Sequence, residues 1–356
     1  MTQILAINPG STSTKIAVFE NNEQVFIKNI KHSAEELAPF KKITDQVDFR
    51  KEIILNTLRE NGIEVKSIQF VIGRGGLIKP IPSGTYKVNE LLKEHLTIGY
   101  SGEHASNLGG LIADLIAKEI GLDASYIADP VVVDELQDVA RITGHPLFEK
   151  ICIFHALNQK AIARTFAASE NKKYEDLNLI IAHMGGGISV GAHLKGKVID
   201  VNQALDGDGP FSPERSGTLP MHQIVDVCFS GKYSKEEVKK MIVGKGGYVA
   251  YFNTNDAYEV EKMAAAGDPK AILIENAMAY QIAKEIGAAA TVLKGKIDAI
   301  LLTGGIAYGK PMIEKITQYV EWIAPIKVYP GEDEMKALAF NALMVINKEI
   351  EAKEYK

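Results

Sequence analysis

Two arginines, a histidine and an aspartate stand apart from the other polar residues of this 356-residue chain because of what surrounds them. Arg74 lies in Gly73-Arg74-Gly75-Gly76, directly after the apolar run Ile68–Ile72. Glycines on both sides imply that a backbone or a ligand approaches closely, which a solvent-facing arginine would not require. Arg215 sits in a loop made rigid by Pro210 and Pro213, with Asp206, Asp208 and Glu214 nearby. It is either one arm of a structural ion pair or an anion contact, since a guanidinium is a fixed charge with forked donors that suit oxyanions. His155 lies in Cys152-Ile153-Phe154-His155-Ala156-Leu157, where a satisfied core histidine is the ordinary reading. Asp129 precedes Pro130, so a simple turn residue is the alternative to a working carboxylate.

Three glycine-bearing turns follow apolar runs. Asn8–Lys15, NPGSTSTK, joins Ile4–Ile7 to Ile16–Phe19. Pro9-Gly10 makes a tight turn, Ser11 to Thr14 add hydroxyls, and Lys15 adds charge, so the loop is either a phosphate cradle or a hairpin with a polar tip. His183-Met184-Gly185-Gly186-Gly187 repeats the arrangement between Leu179–Ala182 and Ile188–Leu194. Gly304–Pro311 has the G-x-x-x-x-G-K spacing of a P-loop but ends in Pro311. The Mg²⁺-binding hydroxyl and one phosphate-binding N–H are therefore missing, and the P-loop reading fails. No G-x-G-x-x-G follows a strand, which excludes the dinucleotide fingerprint.

The elements that must hold these residues recur in one order. Hairpin, third strand, helix, then a strand ending in a glycine loop occurs first over Ile4–Gly76 and again over Leu179–Gly305. On this alignment His183 falls on Asn8, Gly185 on Gly10, Ala192 on Ala17 and Gly196 on Asn21. Helices are expected over Val47–Asn61, Ala105–Ile120, Ala271–Leu293 and Asp333–Glu351, with Asp134 capping a further one. Residues 77–87 read as loop. A duplicated α/β unit follows, with the shared face of the halves as the expected cleft. The divisions fall at 1–133 plus 336–356, the last helix returning to the first domain, and at 134–335. The net charge of −5, with no Lys/Arg cluster, argues against a nucleic-acid partner. No apolar run can span a bilayer and no leader is evident, so no membrane association and a cytoplasmic location are expected. Cys152 and Cys228 are too few for a disulfide framework and are expected to be buried thiols.

Taken in order, NPGSTSTK, GRGG, ADPVVVDE, FHALNQ, HMGGGISVGAHLKG, DGDGPFSPERSG and LTGGIAYGKP resemble the acetate and butyrate kinases, the acetokinase family of the actin, sugar kinase and Hsp70 superfamily. The resemblance covers nearly the whole chain. IGRGGLI, HMGGG and PERSGT stand where acetate kinases have HRVVHGG, HLGNG and MGTRCGD, which resembles the butyrate and branched-chain branch. The resemblance implies an actin-like, ribonuclease H-like α/β fold of two duplicated βββαβαβα-type domains around a central nucleotide cleft. It implies ATP and Mg²⁺ as cofactors, a small carboxylic acid and its acyl phosphate as partners, and a homodimer or larger assembly. Asn8 matches a residue that helps hold Mg²⁺, with Glu334 favoured among Glu332–Glu334 as the acidic member. Ser11, Ser13 and Lys15 match the ATP-phosphate loop, and His183, Gly185, Gly186 and Gly187 match a second one. Asp256 matches a segment beside the nucleoside, where the arginine that follows in the family is Tyr258 here. Gly305, Ile306, Ala307, Tyr308 and Gly309 match the adenosine loop. Arg74 and Arg215 match the arginines that embrace carboxylate and phosphoryl group, His155 the transition-state histidine, and Asp129 the catalytic aspartate. Phe154 and His104 fall on the substrate side.

The physical chemistry of these groups suits that assignment. A carboxylate is already ionised at pH 7, so the difficulty is bringing one anion against another rather than removing a proton. Arginines offset that repulsion, and a histidine donating to an equatorial oxygen stabilises charge as the phosphoryl group moves in line. Asp129 is then expected to orient Arg74, His155 or Mg²⁺. Gly76 replaces a valine of acetate kinases and is expected to leave room for a longer acyl chain. The implied reaction is butanoate plus ATP giving butanoyl phosphate plus ADP. Acetate, propionate or isobutyrate remain as other acceptors, and a nucleotide-gated binding or chaperone module as a different class.

Overall fold

The computed structural model describes residues 2–356. Two compact units emerge: one runs to Val133 and takes in Asp333–Lys356, and the other is Asp134–Glu332.

In the first unit, β1 (Gln3–Pro9) and β2 (Ser13–Glu20) form an antiparallel hairpin, and β3 (Glu23–Lys31) pairs with β2. On the other side of β1 lie β4 (Ile68–Arg74) and β6 (Tyr126–Ala128), both parallel. The short β5 (Thr85–Lys87) closes the edge antiparallel to β6, inside a stretch expected to be loop. The sheet order is β3-β2-β1-β4-β6-β5. Leu5, Ile7, Ile16 and Val18 point to one face, where the Val47–Glu60 and Asn107–Glu119 helices bring Ile54, Leu58, Leu108 and Ile112. The period-two alternation puts Asn8 and Lys15, directly opposite each other across the hairpin, on the other face.

In the second unit β7 (Asn178–Met184), β8 (Ile188–Leu194) and β9 (Lys197–Val201) repeat the antiparallel meander. β10 (Ala299–Gly304) and β11 (Ile326–Pro330) continue it in parallel, giving the order β9-β8-β7-β10-β11. This matches β3-β2-β1-β4-β6, so the duplication expected from the sequence is present. The residue alignment needs one correction. Asn8 pairs with Lys15, whereas His183 pairs with Ser189, so the second loop is one residue shorter. Ala17, paired with Ala6, therefore corresponds to Gly191 rather than Ala192, and Asn21 corresponds to Lys195 rather than Gly196. Asn21 and Lys195 share the left-handed backbone, with φ of 53° and 50°.

The long helix Pro269–Val292 is buried along Ala271, Met278, Ile282 and Ile286 against the second sheet. The last helix spans Glu334–Ile346, ending before the expected Glu351, and belongs with the first unit. Asp134 is not a helix cap. Its carboxylate takes both Arg141 guanidinium nitrogens, at 2.7 and 2.6 Å, and the short helix that follows starts only at Asp138. Cys152 is buried as expected, but Cys228 is exposed on the Met221–Phe229 helix. No helix among the described residues is long and apolar enough to cross a membrane.

Candidate functional site

In the first unit the NPGSTSTK loop is held from behind. Gly10 N–H donates to the Ser13 carbonyl at 2.7 Å and closes the turn. Arg50, on the Val47–Glu60 helix and 1 % exposed, drives its guanidinium against the back of the loop. Nη1 donates to the Gly10 and Ser13 carbonyls at 2.7 and 2.9 Å and to Thr14 Oγ1 at 3.1 Å. Nη2 donates to the Ser11 carbonyl at 3.0 Å, and Gln46 Oε1 accepts from both Nε and Nη2. With three carbonyls turned inward, loop N–H groups and the exposed Ser11 and half-buried Ser13 are left to the outside. Arg50 has no carboxylate partner among the described residues, and burial lowers its pKa to about 10, which leaves it cationic at neutral pH. The sequence reading missed this residue. Arg50, Ile54 and Leu58 fall at i, i+4 and i+8, so an arginine in register with the apolar stripe was the available signal. Lys15 is half-buried, and its side chain makes no hydrogen bond or ion pair among the described residues, a cation opposite Asn8.

Arg74, Asn8 and Glu334 meet on this face. Arg74 Nη1 lies 2.8 Å from Glu334 Oε1 and 3.4 Å from Asn8 Oδ1, and Asn8 Nδ2 donates to Glu334 Oε2. The flanking glycines have the reason the sequence implied. A Cβ at Gly73 would strike the Gly109 backbone, and one at Gly75 would lie 2.6 Å from Pro130 Cβ. Gly76 does not open an acyl pocket: its Cβ would lie 2.6 Å from Asn107 Cα and 2.8 Å from Leu96 Cδ2, inside packed protein. The expectation of acyl room at this position is corrected accordingly. Asp129 is buried at φ 36°, with Ser83 Oγ and Gly84 N–H donating to its Oδ1 at 2.6 and 2.8 Å. A non-glycine residue held in left-handed backbone at a strand end points to a constrained site. His104 stands before the Asn107–Glu119 helix, with Nδ1 and Ser106 Oγ 2.8 Å apart.

In the second unit His155 precedes the Ala156–Ser169 helix and is only half-buried, so it is not a core histidine. Phe154 beside it is buried. The His155 ring stacks on His183, with centroids 4.0 Å apart, and its Nδ1 lies 2.8 Å from Ser189 Oγ. His183 Nε2 is 3.0 Å from Glu332 Oε1, but neither ring nitrogen is aligned for a hydrogen bond. Gly185 N–H closes the glycine turn on the Gly187 carbonyl at 3.0 Å, and Ser212 Oγ donates to the Gly186 carbonyl at 2.6 Å. Arg215 passes where a Gly187 side chain would be, its Cζ 2.5 Å from that Cβ position. Nη1 donates to the Ala204 carbonyl at 2.5 Å, and buried Nε has no partner. The ion-pair alternative for Arg215 is absent, because the neighbouring acids are engaged elsewhere. Glu214 accepts from Asn255, Asp206 from Gln203, and Asp208 from the Gln203 and Gly209 amides. Burial lowers the Arg215 pKa, opposed by Glu214 and Asp206, and the half-buried guanidinium has no anion beside it among the described residues.

Beyond the glycine turn is a cavity of about 330 Å³ between Ala257-Tyr258 and the loop Gly305–Gly309, with Tyr248, Glu261 and Met312 further in. Gly305, Ile306, Tyr308 and Gly309 line it, while Ala307 is buried behind. Asp256 does not line it; its carboxylate takes the Tyr258 amide at 2.9 Å and caps the Ala257–Ala265 helix. Tyr258 and Tyr308 present exposed aromatic rings. Pro311 lies in the first turn of the Lys310–Val320 helix, where its missing N–H costs nothing. A larger hollow of about 500 Å³ by Arg59, Lys66 and Glu119 has none of the candidate residues on its walls.

Asn8, whose Nδ2 donates to Glu334 and whose Oδ1 faces Arg74, and the Glu334 carboxylate together carry hard oxygen donors of the kind Mg²⁺ accepts. No cluster of three or more metal-ligating acids, histidines or cysteines exists among the described residues.

A sheet repeated in two units, glycine turns at corresponding strand ends and unpaired cations beside them define an actin-like phosphotransferase fold. The family description "Acetokinase family" matches residues 151–326. Butyrate kinase 2 of Clostridium acetobutylicum is 56 % identical over 354 residues, covering 99 % of each chain. The chain belongs to the acetokinase family, ATP-dependent phosphotransferases whose acceptor is the carboxylate of a short-chain fatty acid. Two solved structures share its fold. Acetate kinase from Porphyromonas gingivalis has a TM-score of 0.80 at 16 % identity, covering 97 % of this chain and 100 % of that one. A propionate kinase from Francisella tularensis subsp. tularensis SCHU S4 has a TM-score of 0.75 at 19 % identity, covering 96 % and 99 %.

Proposed function

We propose that this protein transfers the γ-phosphoryl group of ATP directly to butyrate, giving butanoyl phosphate and ADP. The observation that carries the reading is Arg215: a half-buried guanidinium beside the Gly185–Gly187 turn, with a buried, unpartnered Nε, whose side chain bonds only the Ala204 carbonyl among the described residues and has no anion there. A phosphoryl oxygen is the partner that such a group lacks. The preference for butyrate rests on the 56 % identity to a butyrate kinase.

In this reading the cavity by Gly305–Gly309 takes adenosine between Tyr258 and Tyr308, and the turns at Gly10–Ser13 and Gly185–Gly187 offer N–H groups to the phosphates. Lys15 adds charge to the first turn. Asn8 and Glu334 would hold Mg²⁺, which when bound would offset negative charge on the phosphate oxygens. Arg74, which pairs with Glu334 at 2.8 Å, would receive the acid's carboxylate. The acid's carboxylate oxygen attacks phosphorus in line, the new O–P bond forming as the bond to the ADP oxygen breaks. Arg215 and His155 donate to the phosphoryl oxygens and stabilise their charge. Asp129 orients rather than accepts a proton, since none has to leave the acid. His104 and Phe154 line the acid's side.

The test is acyl phosphate trapping with hydroxylamine, using ATP and Mg²⁺ with acetate, propionate, butyrate and isobutyrate in turn. Hydroxamate should form with the highest kcat/KM for butyrate. ATP binding or hydrolysis with no hydroxamate from any acid would instead indicate a nucleotide-gated binding module.

A further inference from the structure

His155 is one end of a buried hydrogen-bond chain whose direction can be read from a single carbonyl. Gln159, one helical turn after His155, places Nε2 3.1 Å from the Ser189 backbone oxygen and 2.8 Å from Ser189 Oγ. A backbone carbonyl only accepts, so the amide nitrogen must face Ser189 and the amide oxygen must face away. That oxygen lies 2.8 Å from His193 Nε2, which must therefore carry a proton. His193 is fully buried, and burial with the nearby Lys160 charge lowers its pKa well below the ordinary value, so the ring is neutral. Its Nδ1 is then an acceptor, taking the Tyr174 hydroxyl at 2.6 Å. At the other end, Ser189 Oγ already accepts from Gln159. Its own proton has one acceptor within reach, His155 Nδ1 at 2.8 Å, and Ser189 is fully buried, so a wasted O–H would be costly.

We infer that the relay Tyr174–His193–Gln159–Ser189 fixes His155 as the tautomer protonated at Nε2, making these four side chains positioning residues for a neutral hydrogen-bond donor. Ser189 and His193 occupy alternate positions of β8 on one face, with Gly191 between them. Gly191 is itself part of the arrangement, because a Cβ there would lie 3.0 Å from His193 Nε2 and would strike Gln159 Oε1. Reversing the relay would leave the Ser189 backbone oxygen facing another oxygen, so the sequence has one self-consistent polarity. The same polarity disfavours an imidazolium at His155, whose Nδ1–H would point at a hydroxyl already donating toward it. The consequence for the reaction rests on the reading of His155 as a donor to the transferring phosphoryl group.

The experiment compares Ser189→Ala and Ser189→Thr with wild type by ¹⁵N NMR of ring-labelled histidine, assigned with His155→Gln, and by acyl phosphate kinetics. Wild type and Ser189→Thr should show His155 protonated at Nε2, and Ser189→Ala a mixture of tautomers. Turnover should fall about tenfold in Ser189→Ala with KM for ATP within twofold, and Ser189→Thr should recover it. Gly191→Ala, which removes no donor, should give the same tautomer mixture. A wild-type His155 protonated at Nδ1, or a Ser189→Ala protein unchanged in both tautomer and turnover, overturns the inference. The NMR arm reads the tautomer whether or not acyl phosphate is made, so its failure is distinct from failure of the proposed reaction.

Discussion

Replacing Arg50 with methionine should damage both stability and nucleotide affinity. The side chain makes four contacts to the Gly10–Thr14 turn, at 2.7, 2.9, 3.0 and 3.1 Å. Three of them satisfy backbone carbonyls that water cannot easily reach. Hydrogen bonds from a charged donor contribute about 1.5–3 kcal/mol each. The burial that lowers the Arg50 pKa offsets much of that sum. Methionine removes the cost of burying the charge but takes the donor from the Gly10 and Ser11 carbonyls, the Ser13 carbonyl keeping the Gly10 N–H, so a net loss of about 3 kcal/mol is expected. Arg50→Lys, which keeps the charge but not the fork, should lose about half as much. The turn should also relax and its N–H groups lose alignment, raising KM for ATP at least about tenfold, or about 1.4 kcal/mol, while KM for the acid changes little. Urea unfolding followed by circular dichroism gives the first quantity; fluorescence is a poor probe, because the one tryptophan, Trp322, lies in the other unit. An Arg50→Met protein within about 0.5 kcal/mol of wild type, with unchanged KM for ATP, would refute the reasoning.

Three further outcomes follow from the geometry. Gly187→Ala places a Cβ 2.5 Å from Arg215 Cζ, so the guanidinium must move and turnover should fall about 10²–10³-fold, as when a transition-state donor is lost; steady-state kinetics on a variant shown to be folded reads this. Gly76→Val should cost about 3 kcal/mol or more through overpacking against Asn107 and Leu96, with the butyrate-to-acetate kcat/KM ratio unchanged in the surviving enzyme; a selective rise in KM for butyrate would restore an acyl pocket there. His193, and in the same direction His32, have folded pKa values below 6.5, chiefly because of burial. Below that pH the unfolded chain binds protons that the folded chain refuses, so stability should fall as pH falls, by up to about 1.4 kcal/mol per pH unit for each group. His193→Gln should flatten the slope in urea titrations between pH 6.5 and 5.

What the sequence revealed, and what it hid, divides along a physical line. Strand alternation and glycine turns are local, so the two meanders were readable, and the order of motifs exposed the duplication. Glycines beside Arg74 signalled close approach because only contact explains an absent side chain. The same inference misled at Gly76, where the contact is Asn107 rather than an acyl chain. Whether a cation is paired is not local. The acids flanking Arg215 looked like partners, yet each is taken up by Asn255, Gln203 or backbone amides. Arg50 reaches Gly10, 40 positions away, and His193 reaches Gln159, 34 positions away, and nothing in a hydropathy pattern distinguishes such side chains from solvated ones.

The contact between Asn8 and Glu334 joins residues 326 positions apart, and the segment Asp333–Lys356 completes the first unit, with Tyr355 in its core. On the ribosome, the first strand emerges long before Glu334, the residue proposed to hold Mg²⁺ with Asn8. A nascent chain therefore carries its phosphate turn without Glu334. Synthesis itself thus withholds the complete site until elongation has passed Glu334, and any interruption before that point leaves a chain without the complete pair.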